Sequence, residues 1–112
     1  MESLSLFDLA LRYFKSKGYR LEGEVCCEGY SGSSRKFDLV VSKGNEKHPV
    51  WIKDWKRTVG VNIVINIDRA SDDAGYSNPI LIAEKFSDHA KAYANRRGIR
   101  LITRSEMIRS LI

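Results

Sequence analysis

Residues 35–57, RKFDLVVSKGNEKHPVWIKDWKR, decide how the chain is interpreted. Two apolar stretches flank a polar turn, a pattern that predicts two adjacent strands. Carboxylates interrupt both strands, because Asp38 lies in the first and Asp54 in the second, where Lys56 follows two residues later. Since side chains alternate along a strand, Asp54 and Lys56 are predicted to point to the same face. If Asp38 pairs beside them, three ionisable groups converge on one patch.

Two interpretations of this patch stay open at the level of the residues. An ionised carboxylate in an apolar strand is costly to desolvate and two close carboxylates repel, so cations must compensate them. Lys56 supplies one positive charge, and a divalent metal would supply the rest. Carboxylate oxygens with water and a phosphate suit Mg²⁺, which keeps much of its hydration. The alternative is a surface salt bridge between Asp54 and Lys56 with Asp38 at a strand end, because short acid-x-Lys patterns recur by chance.

Length and composition are those of a globular protein. The chain has 112 residues, of which 43% are hydrophobic and 29% charged, and we expect one domain over residues 1–112. No apolar run approaches the roughly 20 residues that span a bilayer, and the first 18 residues lack a signal-peptide core. We therefore expect a cytoplasmic protein without a membrane partner. The adjacent Cys26 and Cys27 are expected to be reduced, because neighbouring side chains diverge along a strand.

The charge distribution favours a polyanionic partner. The net charge is +5 and the sequence pI about 9.4. Phosphate contacts of basic side chains give affinity without reading sequence. The basic residues in or beside the central hairpin are Arg35, Lys36, Lys43, Lys47, Lys53, Lys56 and Arg57.

A loop of small residues precedes the strand of Asp38. It reads Gly29-Tyr30-Ser31-Gly32-Ser33-Ser34 and has neither strand nor helix signals. Such a loop is placed to approach a ligand closely, which makes Ser31 and Ser33 candidates for nucleic-acid binding. A plain flexible turn is the alternative.

Residues 60–74 fit two secondary structures. Val61, Ile63, Ile65 and Ile67 alternate with more polar residues, which locally favours a strand. The segment also has a helical apolar face. If residues 79–83 form a buried parallel strand, the chain must cross over before it, usually through a helix. Topology therefore predicts a helix here.

The whole chain then reads α-β-β-β-α-β-α-β-α, with a mixed sheet between helices. The first helix is predicted over residues 3–17, with Ser5 and Asp8 as a capping box and Gly18 as its stop. The remaining predicted elements are strands at 19–28, 35–41 and 49–57, a helix at 60–74, a strand at 79–83, a helix from Ser87 to Gly98, a strand at 99–103 and a helix at 105–111.

This order, with an acid on the second strand and acid-x-Lys on the third, resembles the PD-(D/E)XK, or restriction-endonuclease-like, superfamily of nucleases. More narrowly, it is similar to the Mrr-like and archaeal Holliday-junction-resolvase-like branch. Further similarities lie in Lys17-Gly18-Tyr19, in Trp55-Lys56-Arg57 leading to Val59-Gly60-Val61, and in Phe86-Ser87 with Ile99-Arg100-Leu101-Ile102. The resemblance implies a three-layer α/β/α fold, with one nuclease-like domain.

The resemblance also implies an activity, metal-dependent endonucleolytic hydrolysis of DNA phosphodiester bonds. Asp38 and Asp54 match the two metal-binding acids, and the backbone carbonyl of Trp55 would join them around Mg²⁺, for which Mn²⁺ would substitute. Lys56 matches the lysine that orients or activates the attacking water. Asp8 is a further candidate metal ligand on the first helix. No small-molecule cofactor is implied, and the second acid is Asp where this branch commonly has Glu or Gln.

DNA is thus the expected partner, and a homodimer that cuts two strands is the expected assembly. The candidate DNA-binding residues are Arg35, Lys36, Lys53, Arg57, Ser31 and Ser33. Two other functions remain open. One is a non-catalytic nucleic-acid-binding module on the same fold, and the other is an assembly subunit that uses Trp51, Trp55 and an exposed strand edge.

Overall fold

The computed structural model describes residues 4–112, so the predicted start of the first helix at Ser3 lies outside the described residues. The elements are α1 (Leu6–Ser16), β1 (Arg20–Glu22), β2 (Val25–Glu28), β3 (Ser34–Phe37), β4 (Leu39–Lys43), β5 (Glu46–Lys53), α2 (Val61–Asp73), β6 (Ile80–Ala83), α3 (Asp88–Arg97), β7 (Arg100–Thr103) and α4 (Arg104–Leu111). None of the helices in this part of the chain is long and apolar enough to cross a membrane.

The central sheet is mixed, as predicted. Its strand order is β1-β4-β5-β6-β7, and β2 pairs with β3 in a separate two-stranded sheet. The pairs β1–β4 and β4–β5 are antiparallel, whereas β5–β6 and β6–β7 are parallel. Cys26 and Cys27, on β2, are both free thiols.

Helices cover both faces of this sheet and create two apolar cores. One core packs α1 and α4 against strand residues that include Val50, Ile80 and Ile82. The other packs α2 and α3 against the alternate residues, among them Trp51, Leu81 and Ala83. Burial on both faces explains why β6 is apolar throughout. The three-layer α/β/α fold class is therefore confirmed.

The structure corrects the predicted element order in the first hairpin. The predicted strands at 19–28 and 35–41 each divide in two, so that four strands stand where two were expected. Glu22 pairs with Val40 and Val25 with Phe37, which is one continuous hairpin register. The ladder breaks beside Asp38, and there the hairpin leaves the central sheet for the two-stranded sheet.

The predicted third strand is shifted. β5 begins at Glu46, before Pro49, and ends at Lys53, so Asp54 and Lys56 lie in the connection to α2 and not in the strand. The physical reason is the parallel neighbour. Lys53 pairs with Ala83, the last residue of β6, and the chain must then turn to begin the crossover.

The prediction of a helix at 60–74 is confirmed by α2. Its buried residues Val64, Ile67, Asp68 and Ser71 follow the three-to-four residue spacing of a helix. The parallel pairing of β5 and β6 requires a crossover, and this requirement outweighs the local preference of β-branched residues for a strand.

A buried carboxylate joins α2 to α3. Asp68 is only 6% exposed, and its Oδ2 accepts hydrogen bonds from the Tyr93 hydroxyl at 2.7 Å and from Arg97 Nε at 2.8 Å. The hydrogen bonds that Tyr93 and Arg97 donate to Asp68 raise the pKa of both groups. The positive charge of Arg97 and the two hydrogen bonds compensate the Asp68 carboxylate, which would otherwise be costly to bury.

A second carboxylate fixes the loop at residues 29–33. Asp73, at the end of α2, accepts hydrogen bonds from the Ser31 N–H at 2.7 Å, the Ser31 hydroxyl at 2.8 Å and Arg35 Nε at 2.8 Å. Gly29 is required beside it, because a Cβ there would lie 2.0 Å from Asp73 Oδ2. The loop is therefore tied to the carboxyl end of α2.

Stability should depend on the ionisation of Asp73. The hydrogen bonds from Arg35 and Ser31 lower the pKa of Asp73, so the stabilisation is present above the unfolded-state pKa and is lost as pH falls through the lower folded-state value. In urea unfolding, we expect the advantage of the wild type over Asp73→Asn to be largest at neutral pH and to shrink below about pH 4. Glu28→Gln is the matched control for an exposed acid. A difference that did not change with pH would contradict this explanation.

Candidate active site

Three strand ends meet at one edge of the central sheet. In β5, β6 and β7, Lys53 is in register with Ala83, and Ala83 with Thr103. The residues that follow these ends, Asp54, Glu84 and Arg104, therefore lie at the same edge. Carboxyl ends of parallel strands are a common location of binding sites in α/β folds.

Asp38 reaches this edge through a side-chain hydrogen bond. Its N–H donates to the Val50 carbonyl at 3.1 Å, and its Oδ2 accepts the Ile52 N–H at 2.8 Å. If the antiparallel ladder continued, a backbone carbonyl of the neighbouring strand would accept the Ile52 N–H. The carboxylate replaces this carbonyl, and it lies against β5 two residues before Asp54.

Asp54 is held by the start of α1. Its Oδ2 accepts the Leu6 N–H at 3.4 Å, and the Ser5 side chain caps the same helix by accepting the Asp8 N–H at 3.1 Å. The positive end of the helix dipole favours a carboxylate at this position. Asp54 is nevertheless exposed, so it is accessible to a ligand.

Lys56 lines a cavity of about 440 Å³ with Glu84, Lys85 and Arg104. Arg104 Nε contacts Glu84 Oε2 at 2.8 Å, and Arg104 Nη1 donates to the Leu4 carbonyl at 2.6 Å. These contacts link the starts of α1 and α4 to the end of β6. Glu84 and Arg104 were not predicted as site residues, although both follow predicted parallel strands whose register places them at the same edge as Asp54.

Trp55 contacts two cations. The Arg57 guanidinium lies over its ring at 4.2 Å from the centroid, and Lys53 Nζ is 5.8 Å from it. Trp55 is partly buried against the core formed by α2 and α3. Its Nε1 is buried without a hydrogen-bond partner among the described residues. Two of the predicted DNA-binding residues, Lys53 and Arg57, thus contact Trp55, the residue that follows Asp54.

The other predicted DNA-binding residues lie elsewhere. Ser31 and Arg35 contact Asp73 at the carboxyl end of α2, and Ser33 is in the same loop. The amino end of α2 follows the strand end at Asp54, and its 13 residues are about 20 Å long. Lys36 pairs with Glu24 at 3.2 Å on the exposed face of the β2–β3 hairpin.

The predicted metal site has few protein ligands. Among residues 4–112, no group of three or more His, Cys, Asp or Glu side chains could hold a metal ion. Asp8 is exposed, and among the described residues it does not complete a metal-holding group with Asp38 and Asp54. The candidate donors are then two carboxylates and the Trp55 carbonyl. These hard oxygen donors fit Mg²⁺, which keeps several waters and is rarely enclosed by protein ligands alone.

Comparisons with known proteins give the family and the fold. The restriction endonuclease family model Mrr_cat matches residues 1–111. A crystal structure of the protein of unknown function AF1548 superposes with a TM-score of 0.82 at 18% identity, over 95% of this chain and 66% of that one. A repair endonuclease from Pyrococcus abyssi superposes with a TM-score of 0.53 at 15% identity, over 73% of this chain and 38% of that one. No curated protein sequence matches.

Asp38 should stabilise the fold through its hydrogen bond from the Ile52 N–H, independently of its negative charge. Asp38→Ala leaves the Ile52 N–H without its acceptor, which should cost about 1–3 kcal/mol of unfolding free energy. Asp38→Asn keeps an acceptor oxygen and should retain most of the stability. Urea unfolding of both variants beside the wild type measures this. Equal losses in the two variants would show that the hydrogen bond is not what Asp38 contributes.

Proposed function

The chain belongs to the restriction endonuclease family Mrr_cat, and on this premise we propose that it is a metal-dependent endonuclease that hydrolyses DNA phosphodiester bonds. The observation that carries the proposal is the position of Asp38 and Asp54. Backbone N–H groups of β5 and α1 hold these carboxylates at the carboxyl end of β5, and Lys56 follows Asp54 by two residues in the sequence. We further propose that residues 1–112 act as a single nuclease domain.

Asp38, Asp54 and the Trp55 carbonyl are the groups that would hold Mg²⁺, with Mn²⁺ as a substitute. The hydrogen bond from Ile52 engages Oδ2 of Asp38, and Oδ1 is the oxygen that would contact the ion. When bound, the ion would supply Lewis-acid stabilisation of the charge that develops on the phosphate.

Lys56 is proposed to act on the phosphate and on the water that attacks it. Its side chain is exposed and lines the cavity beside Glu84 and Arg104, so it is accessible to a substrate at this edge. An ammonium group there would offset negative charge that grows in the transition state and would orient the nucleophilic water.

DNA would be held by the basic residues around Trp55. Lys53 and Arg57 contact the indole ring of Trp55, which follows Asp54 in the sequence, and the net charge of +5 favours a polyanion. Arg35, Lys36, Ser31 and Ser33 remain proposed contacts. Because they lie toward the far end of α2 or on the β2–β3 hairpin, they would touch DNA at a distance from the bond that is cut.

The proposed assembly is a cytoplasmic homodimer. One Asp38–Asp54 site cuts one strand, so a symmetric pair of chains would cut both strands of a duplex or a junction. The oligomeric state in solution, measured with and without DNA, is the direct check of this part of the proposal.

A non-catalytic nucleic-acid-binding module on the same fold is the second candidate. The observation that favours it is the small number of acids, because no third His, Cys, Asp or Glu among residues 4–112 completes a metal-holding group with Asp38 and Asp54. Such a module would bind DNA equally well in Mg²⁺ and in EDTA and would cut nothing.

Cleavage of a panel of labelled DNAs tests the proposal. The panel contains linear duplex, single strand, four-way junction and supercoiled plasmid, each with Mg²⁺, Mn²⁺ or EDTA. We expect metal-dependent cutting by the wild type, and a loss of roughly a hundredfold or more in Lys56→Ala and Asp54→Ala, since the first removes a positive charge that acts on the transition state and the second removes a proposed metal ligand. Binding by Lys56→Ala in EDTA should stay largely intact, with the loss of at most one phosphate contact.

Lys15→Ala is the matched control for the lost positive charge, because Lys15 is exposed in the last turn of α1. Full cutting by Lys56→Ala would contradict the role of this lysine. Binding without cutting on every substrate and with either metal would favour the non-catalytic module.

A further inference from the structure

The cavity beside Lys56 is lined by more basic than acidic side chains. Among residues 4–112, its lining residues are Lys56, Glu84, Lys85 and Arg104, three cations and one anion, around a volume of about 440 Å³. The proposed hydrolysis uses only Lys56 from this set. The other cations must either be neutralised within the protein or serve a ligand.

Glu84 and Arg104 neutralise each other. Their contact is 2.8 Å long, and their side chains are only 28% and 20% exposed, so water screens the pair less than it screens a surface salt bridge. Arg104 also donates to the Leu4 carbonyl, which fixes its position further. The pair is therefore held in place at one side of the cavity. The two lysines account for the remaining positive charge around it.

Neither lysine has an acidic partner in the described structure. The salt bridges among residues 4–112 include neither Lys56 nor Lys85. Both side chains are exposed. Two ammonium groups that line one cavity and have no carboxylate partner attract an anionic ligand.

The backbone under Lys85 is fixed. Its carbonyl accepts the Val59 N–H at 2.9 Å, and the Ser87 N–H donates to the Val59 carbonyl at 3.0 Å. Val59 and Phe86 form a parallel β-bridge between these bonds. Lys85 is thus presented from a rigid position one residue beyond Glu84, at the edge where Asp54 lies.

From these contacts we propose that Lys85 is a DNA-binding residue, which holds in this cavity the backbone phosphate next to the scissile one on the cut strand. The inference rests on the proposed nuclease function and extends it. The substrate strand would pass from Arg57 on Trp55, across Asp54 and Lys56, to Lys85 beside the Glu84–Arg104 pair. A phosphodiester fits the cavity because two lysines supply donors and charge without reading a base.

The salt dependence of binding tests the contact. Each phosphate that a protein neutralises contributes about 0.9 to the slope of log K against log salt concentration for duplex DNA. We expect Lys85→Ala to lower this slope by about 0.9 and Lys15→Ala to leave it unchanged, measured by fluorescence anisotropy of a labelled duplex in EDTA. Lys85→Arg should keep the slope of the wild type. Thermal unfolding verifies that each variant is folded.

A scan with methylphosphonate substitutions locates the phosphate. Each duplex carries one neutral methylphosphonate in place of a phosphate, and binding is measured for the wild type and for Lys85→Ala. When the methylphosphonate replaces the phosphate next to the cut, we expect the wild type to bind this duplex more weakly than the unmodified one. Lys85→Ala should bind the two duplexes equally, because it already lacks the contact. Additive losses at every position would overturn the assignment.

The outcomes separate the two proposals. A wild type that binds and cuts DNA, with an unchanged slope in Lys85→Ala, would overturn the role of Lys85 and leave the nuclease intact. A wild type that binds no DNA would overturn the nuclease and the phosphate contact together. A wild type that binds without cutting, with the lower slope in Lys85→Ala, would keep the phosphate contact and overturn the nuclease.

Discussion

The hydrogen bond from the Ile52 N–H to the Asp38 carboxylate is the interaction on which the site depends. It takes the place of a ladder bond at the point where the first hairpin leaves the central sheet. Because the Asp38 carboxylate replaces a backbone carbonyl where the hairpin leaves the sheet, this carboxylate also lies near the end of β5. Asp38 therefore serves both the fold and the proposed chemistry, and a partly buried N–H without an acceptor would be costly there.

The parallel pairing of β5, β6 and β7 provides the rest of the site. Parallel strands need crossovers, so their carboxyl ends collect at one edge and the residues that follow them become neighbours. Asp54, Glu84 and Arg104 are neighbours for this reason alone. The starts of α1 and α4 arrive at the same edge, where Leu6 contacts Asp54 and Leu4 contacts Arg104.

The sequence was sufficient for the layers, the parallel strands and the helix at α2, where topology outweighed the local strand pattern. The choice of Asp38, Asp54 and Lys56 as site residues stays a prediction. The sequence could not predict that the hairpin breaks at Asp38 or that β5 ends before Asp54, because the Ile52 contact and the length of β6 set these limits. The contact of Ser31 with Asp73 is also non-local, since 42 residues separate the two in sequence.

The most direct test of a metal site at Asp38 and Asp54 is a crystal structure with Mn²⁺, whose anomalous scattering locates the ion independently of the protein atoms. The protein would be crystallised with a DNA that carries a non-hydrolysable linkage, beside Asp54→Ala under the same conditions. We predict one Mn²⁺ peak that contacts both carboxylates and the Trp55 carbonyl, and its loss in the variant. A peak elsewhere, or none at this edge in a wild type with bound DNA, would contradict the account.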